Sequence, residues 1–165
     1  MNQPSMRLLV LLASLPGLAA CGGGDAAEAA RGYQRQMLPV IGQNRVLNEQ
    51  FLKMTPMIKS EELSGDDIAE KWEQSILPGA ADLQATIEII ESGVPELDEV
   101  HQQLVFSWTE RTAAYQEIVD AYNANDPVAF QKGFSRNLNS KLTEEQYFLQ
   151  VNAILQVYNL SLSPF

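Results

Sequence analysis

Residues 95–124 read PELDEVHQQLVFSWTERTAAYQEIVDAYNA and decide the fold class of this chain. Mostly apolar and aromatic side chains recur there every three or four residues, which places them along one side of an amphipathic α-helix. This stripe consists of Leu97, Val100, His101, Leu104, Trp108, Arg111, Tyr115, Ile118, Val119 and Tyr122. Asn125, Asp126 and Pro127 predict the end of this helix and the start of the next, with Asp126 as the cap and Pro127 in the first helical position.

The same spacing predicts three further helices. The first covers residues 26–59, where Pro39 should kink the helix or mark its real start. The second begins at a cap formed by Ser64 and runs to about residue 92, with a kink at Pro78. The fourth follows Asp126, with an apolar stripe that includes Leu138 and Leu142, and residues 143–146 resemble a second capping box that could break it.

These four segments are joined by connections of only a few residues, which forces neighbouring helices to run antiparallel. The sequence therefore predicts an all-α fold, an antiparallel up-down-up-down four-helix bundle with kinks near Pro39 and Pro78, formed by residues 28–165. A helical hairpin packed on a kinked, shorter third unit is the structural alternative. Residues 160–165 are expected to be an apolar tail that docks on the bundle or on a partner.

The N-terminus has the layout of an export signal. Arg7 precedes the apolar run LLVLLASL at residues 8–15, which is about half the length needed to span a bilayer. Leu18, Ala19, Ala20 and Cys21 follow, and this stretch resembles the lipobox of bacterial lipoproteins. The resemblance implies that residues 1–20 are a signal peptide and that Cys21 is acylated. The alternative is an ordinary secretory signal with Cys21 after its cleavage site.

The cysteine count agrees with lipidation. Cys21 is the only cysteine, so no disulfide can form within the chain. The glycines at 22–24 predict that residues 21–27 are a flexible, lipidated tether to the membrane. In the lipoproteins that this segment resembles, an Asp after the cysteine tends to hold the protein at the inner membrane. Gly22 in that position favours the periplasmic face of the outer membrane.

Charge is unevenly distributed along the chain. The net charge is −10, and residues 61–126 hold sixteen Asp or Glu against Lys71 and Arg111, a local balance of −14. Such a surface disfavours nucleic acid and anionic lipid headgroups, and it would favour a basic protein partner from the envelope. The alternative is a solvated face that only keeps the domain soluble.

Few residues could support catalysis or hold a metal. His101 is the only histidine, which excludes the usual His and Cys zinc sites, and no Gly-x-Ser-x-Gly motif presents a nucleophile. Asp98 and His101 form only half of a di-iron motif, and a haem would need His101 with Met37, Met54 or Met57. A surface or boundary histidine is the simpler interpretation. We expect no cofactor, no metal and no enzymatic activity.

The candidate contact residues are His101, Trp108, Arg111 and Tyr115. The Arg111 guanidinium can stack on an aromatic ring and reach Glu88 or Glu110, either lining a pocket or sealing a helix-packing seam. The sequence predicts a membrane-anchored, non-enzymatic envelope protein that acts as an adaptor or assembly module. The alternative function is binding of a small ligand in an apolar pocket between kinked helices, near Pro39, Gly42, Pro78 and Gly79.

Overall fold

The computed structural model describes residues 23–59 and 65–163, and these ranges are helical without any strand. The helices are α1 (Gly23–Lys59), α2 (Gly65–Lys71), α3 (Leu77–Glu88), α4 (Pro95–Asn123) and α5 (Pro127–Gln156). A π-helical segment, Trp72–Ile76, joins α2 directly to α3. Four helical units therefore pack together, and the all-α prediction is confirmed. No helix in these ranges has both the length and the apolar character needed to cross a bilayer.

Helix α1 begins five residues earlier than the predicted start of the domain at residue 28. It starts at Gly23, so residues 23–27 of the predicted flexible tether are helical. Asp25 lies in the first turn, where a carboxylate interacts favourably with the positive end of the helix. Alanines at 26, 27, 29 and 30 are strong helix formers and extend the helix through this stretch.

The second unit contains the main helical irregularity. Pro78 has no N–H to donate to the carbonyl of Gln74, and its ring crowds that carbonyl. The π-helical segment directly before α3 accommodates this by widening the hydrogen-bond register. Helix α3 ends at Glu88, earlier than predicted, and Gly93 follows with a φ of +71°. The predicted cap Ser64 lies outside the described residues.

Helices α4 and α5 form the most extensive helix pair, and both start at a proline. The Asp126 carboxylate accepts hydrogen bonds from the backbone N–H groups of Val128 and Ala129, both at 3.0 Å, so the predicted cap is confirmed. The suggested break at residues 143–146 is wrong, because α5 runs through it. The Thr143 hydroxyl donates to the Asn139 carbonyl four residues back instead of capping a new helix.

The C-terminal tail docks on the bundle. Leu162 is buried, its backbone N–H donates to Asn152 Oδ1 at 2.7 Å, and its carbonyl accepts from Asn152 Nδ2 at 2.8 Å. Gln34 Nε2 of α1 donates to the Ser161 carbonyl at 2.7 Å. Residues 160–163 thus close one end of the contact between α1 and α5, while residues 164–165 lie outside the described part of the chain.

Candidate functional site

A cleft of about 510 Å³ lies between α1 and α5. The two helices approach each other mainly through long side chains rather than through close backbones, which leaves this space open. The volume falls in the range of small-molecule sites. The α1–α5 cleft is lined by Asn44, Asn48 and Leu52 of α1 and by Lys141, Glu144, Glu145, Phe148, Leu149 and Asn152 of α5.

A buried polar network forms the floor of the cleft. Glu144 Oε2 accepts a hydrogen bond from Arg111 Nη2 at 2.8 Å, and Glu144 Oε1 accepts from Asn44 Nδ2 at 2.5 Å. Asn44 Oδ1 in turn accepts from Asn48 Nδ2 at 2.8 Å. Arg111 Nε donates to Ser140 Oγ at 3.2 Å. Both carboxylate oxygens of Glu144 are occupied, and the network ties α1, α4 and α5 together.

Arg111 is the centre of this network. Its side chain is fully buried, its Cζ lies 4.5 Å from the Trp108 ring centroid, and its carboxylate partner is Glu144. The predicted partners Glu88 and Glu110 are therefore wrong for Arg111, and Glu110 instead accepts two hydrogen bonds from Arg136 of α5 at 2.7 and 2.9 Å. Arg111 reaches α5 because it points into the bundle rather than along α4.

Tyr115 and Trp108 belong to the core beneath the cleft rather than to its walls. The Tyr115 ring stacks on Phe51 at 5.8 Å and meets Trp72 edge-on at 6.0 Å. Burial raises the pKa of Tyr115 to about 12. Of the predicted contact residues, Arg111 lies against the Trp108 ring, and neither these two nor Tyr115 lines the cleft.

Lys141 is the cationic residue that lines the cleft, and the sequence interpretation missed it. Its side chain is half-buried, and its Nζ lies 5.4 Å from the Phe51 ring centroid. Burial, followed by the charge of Arg111, lowers the pKa of Lys141, and Glu144 partly opposes this. Within the described residues, its ammonium has no hydrogen bond and no ion pair. An isolated lysine on a helix gives no sequence pattern that would reveal this.

His101 lies in a buried chain of hydrogen bonds and not at the surface or boundary. It is 2% exposed, its Nε2 is 2.9 Å from the Ile87 carbonyl, and its Nδ1 is 2.8 Å from the Tyr33 hydroxyl. The carbonyl can only accept, so Nε2 carries the proton and Nδ1 accepts from Tyr33. Tyr33 is also 2.7 Å from Tyr147, which must then donate to it. Burial lowers the pKa of His101 and keeps it neutral.

The partial metal motifs are used structurally. Asp98 Oδ1 accepts a hydrogen bond from the Ser92 backbone N–H at 2.8 Å and so fixes the connection between α3 and α4. Both nitrogens of His101 are occupied, and Met37 and Met54 are core residues; the side chain of Met57 lies outside the described set. No group of three potential metal ligands occurs among the described residues.

A second groove, of about 470 Å³, lies between α1 and α3. The sequence predicted a ligand pocket near Pro39, Gly42, Pro78 and Gly79. All of these residues except Pro78 line this groove. This groove is slightly smaller and more open than the α1–α5 cleft. We therefore treat the α1–α5 cleft as the candidate site.

Two of the acidic residues in the negatively charged region, residues 61–126, form ion pairs with cations of α5. Lys132 Nζ pairs with Glu117 Oε1 at 2.5 Å, and Arg136 pairs with Glu110. The remaining excess of carboxylates on the second unit and α4 is mostly exposed.

Comparisons of the chain with protein-family models, with curated proteins and with solved structures gave no significant match. The functional argument therefore depends on the cleft and its chemistry.

Proposed function

We propose that this protein is a lipid-anchored, non-enzymatic binding protein of the cell envelope that holds a small molecule in the α1–α5 cleft. The observation that carries the proposal is the cleft itself, which combines a volume of about 510 Å³ with apolar walls and a polar floor. Leu52, Phe148 and Leu149 supply apolar surface, and Glu144 is fixed in the floor by Arg111 and Asn44. Few, well-held polar groups in an apolar cavity are typical of ligand sites.

The helix arrangement we propose is the antiparallel up-down bundle, with bends near Pro39 and Pro78. Tyr33 of α1 meets Tyr147 of α5, whereas Phe51, further along α1, meets Phe134, which is earlier in α5. This reversed order supports antiparallel packing of α1 and α5. The same reversal appears in the pairs Gln103–Gln150 and Glu117–Lys132 between α4 and α5, and in Glu73–Asn123 and Ile87–His101 between the second unit and α4.

The lack of enzymatic activity is proposed from the state of the only histidine. A general base needs a free ring nitrogen within reach of its substrate. His101 uses both nitrogens inside the core, bonding Tyr33 and Ile87, and it does not line the cleft. This arrangement supports a structural role for His101 and a binding role for the cleft.

Membrane attachment through lipid on Cys21 remains part of the proposal, with the periplasmic face of the outer membrane as the location. Cys21 lies outside the described residues, but α1 begins only two positions later, at Gly23. This short spacing would hold the bundle close to the bilayer. Globomycin, or the Cys21→Ser substitution, should block the removal of residues 1–20. Unchanged processing in both cases would refute the lipid anchor.

Binding in the cleft can be tested with the neutral apolar dye N-phenyl-1-naphthylamine. The dye should fluoresce saturably with the purified protein lacking residues 1–20. Asn48→Trp, which fills the cleft, should abolish the saturable signal. Gln102→Trp on the exposed face of α4 is the matched control and should leave it unchanged. Saturable binding by the Asn48→Trp variant equal to that of the control would refute the cleft as the binding site.

A basic protein partner is the second candidate, as an adaptor function would require. Leu138, Leu142 and Leu149 lie on one side of α5 and are 60%, 56% and 75% exposed. With the acidic excess of residues 61–126 they offer a contact surface. Crosslinking of the lipidated protein in envelopes, with Leu138→Glu and Leu142→Glu as variants outside the cleft, tests this candidate without altering dye binding.

A further inference from the structure

We propose that the ligand of the α1–α5 cleft is an amphiphilic anion, whose negative head pairs with the Lys141 ammonium and whose hydrocarbon chain lies along Leu52, Phe148 and Leu149. This inference rests on the proposed binding function and adds the chemical class of the ligand.

The first argument is that Lys141 differs from every other cation in the described residues. Three of these cations are withdrawn from solvent at least in part, namely Arg111, Arg136 and Lys141. Arg111 has Glu144 as its partner and Arg136 has Glu110, but Lys141 has none. A partly buried ammonium without a counter-ion costs free energy, which an anion bound in the cleft would recover.

The second argument is that the acids of the cleft do not neutralise Lys141. Glu144 lies one helical turn away, and its two oxygens are already bonded to Arg111 and Asn44. Glu145 is exposed at the rim, where water screens its charge, and it forms no ion pair with Lys141 in the structure. Two cations, Arg111 and Lys141, and one carboxylate, Glu144, together leave a net charge of +1 at the floor of the cleft. The lowered pKa of Lys141 is consistent with this.

The third argument is the apolar length of the cleft. Lys141 and Leu149 are eight residues apart on one helix, which corresponds to about 12 Å along α5. An extended chain advances about 1.2 Å per bond, so about ten carbons span this distance. Leu52 of α1 and Phe148 and Leu149 of α5 supply apolar lining to the same cleft. A single-chain amphiphile therefore matches both the charge and the shape.

The test uses displacement of the bound neutral dye by five probes below their micellar concentrations: decanoate, octanoate, decyl phosphate, decanol and decyltrimethylammonium. Decanoate and decyl phosphate should bind about 10- to 100-fold more tightly than decanol, as expected for a charge-assisted contact. The cationic probe should bind most weakly. Octanoate should bind about 15-fold more weakly than decanoate, at about fourfold per methylene. A preference for one of the two anions identifies a carboxylate or a phosphate head.

Two lysine variants separate a specific contact from a general charge effect. Lys141→Met should reduce the affinity for decanoate to that for decanol and leave decanol binding unchanged. Lys132→Met removes an exposed lysine of α5 that pairs with Glu117 away from the cleft, and it should change neither affinity. Urea unfolding of both variants checks that they are folded.

The outcomes distinguish the two proposals. Equal binding of decanoate and decanol, or an equal effect of both lysine variants, would refute the proposal that the ligand is an anion. The proposal that the cleft binds a small molecule would not be affected. Failure of the neutral dye to bind at all would overturn the binding function itself.

Discussion

Replacing Arg111 with methionine should strongly destabilise the protein. Arg111 is fully buried and donates to Glu144 and Ser140, and its guanidinium lies over Trp108. Arg111→Met leaves the Glu144 carboxylate in the floor of the cleft with only Asn44 as a partner. Breaking a buried ion pair costs about 3 to 5 kcal/mol. Because the Glu144 carboxylate can draw water from the cleft, we expect a loss of about 3 kcal/mol.

The size of the pair interaction follows from a double-mutant cycle. Glu144→Met leaves the Arg111 charge uncompensated in the core and should cost about 3 to 4 kcal/mol. The double variant buries no unpaired charge, so its free energy of unfolding should lie within about 2 kcal/mol of the wild-type value. Urea denaturation followed by circular dichroism measures all four proteins. Additive single costs, or a loss below about 1 kcal/mol for Arg111→Met, would refute the reasoning that this pair holds the bundle.

Three further predictions concern other parts of the molecule. Gly133→Ala should lower the free energy of unfolding by about 1 kcal/mol, because its Cβ would lie 2.8 Å from Ile118 Cγ1 and 3.2 Å from the Ile118 backbone nitrogen. The Cβ added by Gly32→Ala would meet nothing within 4 Å, so urea unfolding should show this variant to be more stable by about 0.5 to 1 kcal/mol. If the two alanine substitutions changed the free energy of unfolding in the same direction, that would contradict the packing around Gly133. The His101 pKa lies below 6.5 in the folded state, so the unfolded state takes up its proton first as the pH falls. Stability should therefore drop below pH 6.5 by up to about 1.4 kcal/mol per pH unit, and His101→Gln, unfolded in urea at each pH, should lack this component. Cys21→Ser should yield a protein without acyl chains by mass spectrometry; an acylated variant would contradict lipidation at Cys21.

The sequence predicted the elements with clear local causes. The stripe in residues 95–124 and the Asp126–Pro127 start of α5 correspond closely to α4 and α5, because capping and helical spacing are local properties. The effect of the prolines on helix continuity was more difficult to predict. Pro39 lies inside a helix assigned without interruption, and Pro78 follows a π-helical segment. Neighbouring helices can supply enough packing to keep a proline within a helix, and this cannot be judged from one segment alone.

Only the middle of the face that α5 buries was predicted wrongly. Leu138 and Leu142 were assigned to the core stripe but are exposed, while Ser140 and Glu144 are buried. The reason is Arg111 on α4, whose buried charge needs a carboxylate and a hydroxyl opposite it. Hydrophobic spacing cannot reveal such a requirement, because it depends on a contact between residues 33 positions apart. The candidate site was missed for the same reason.

Methyl and side-chain amide NMR spectra during titration with decanoate test the central claim most directly. The claim predicts saturable shift changes at Leu52, Leu149 and the Asn44 amide, with a common dissociation constant. Ile89 and Val128, which are exposed apolar residues outside the α1–α5 cleft, should not change. Shift changes spread over both sets, or absent from the cleft residues at saturating decanoate, would contradict the account.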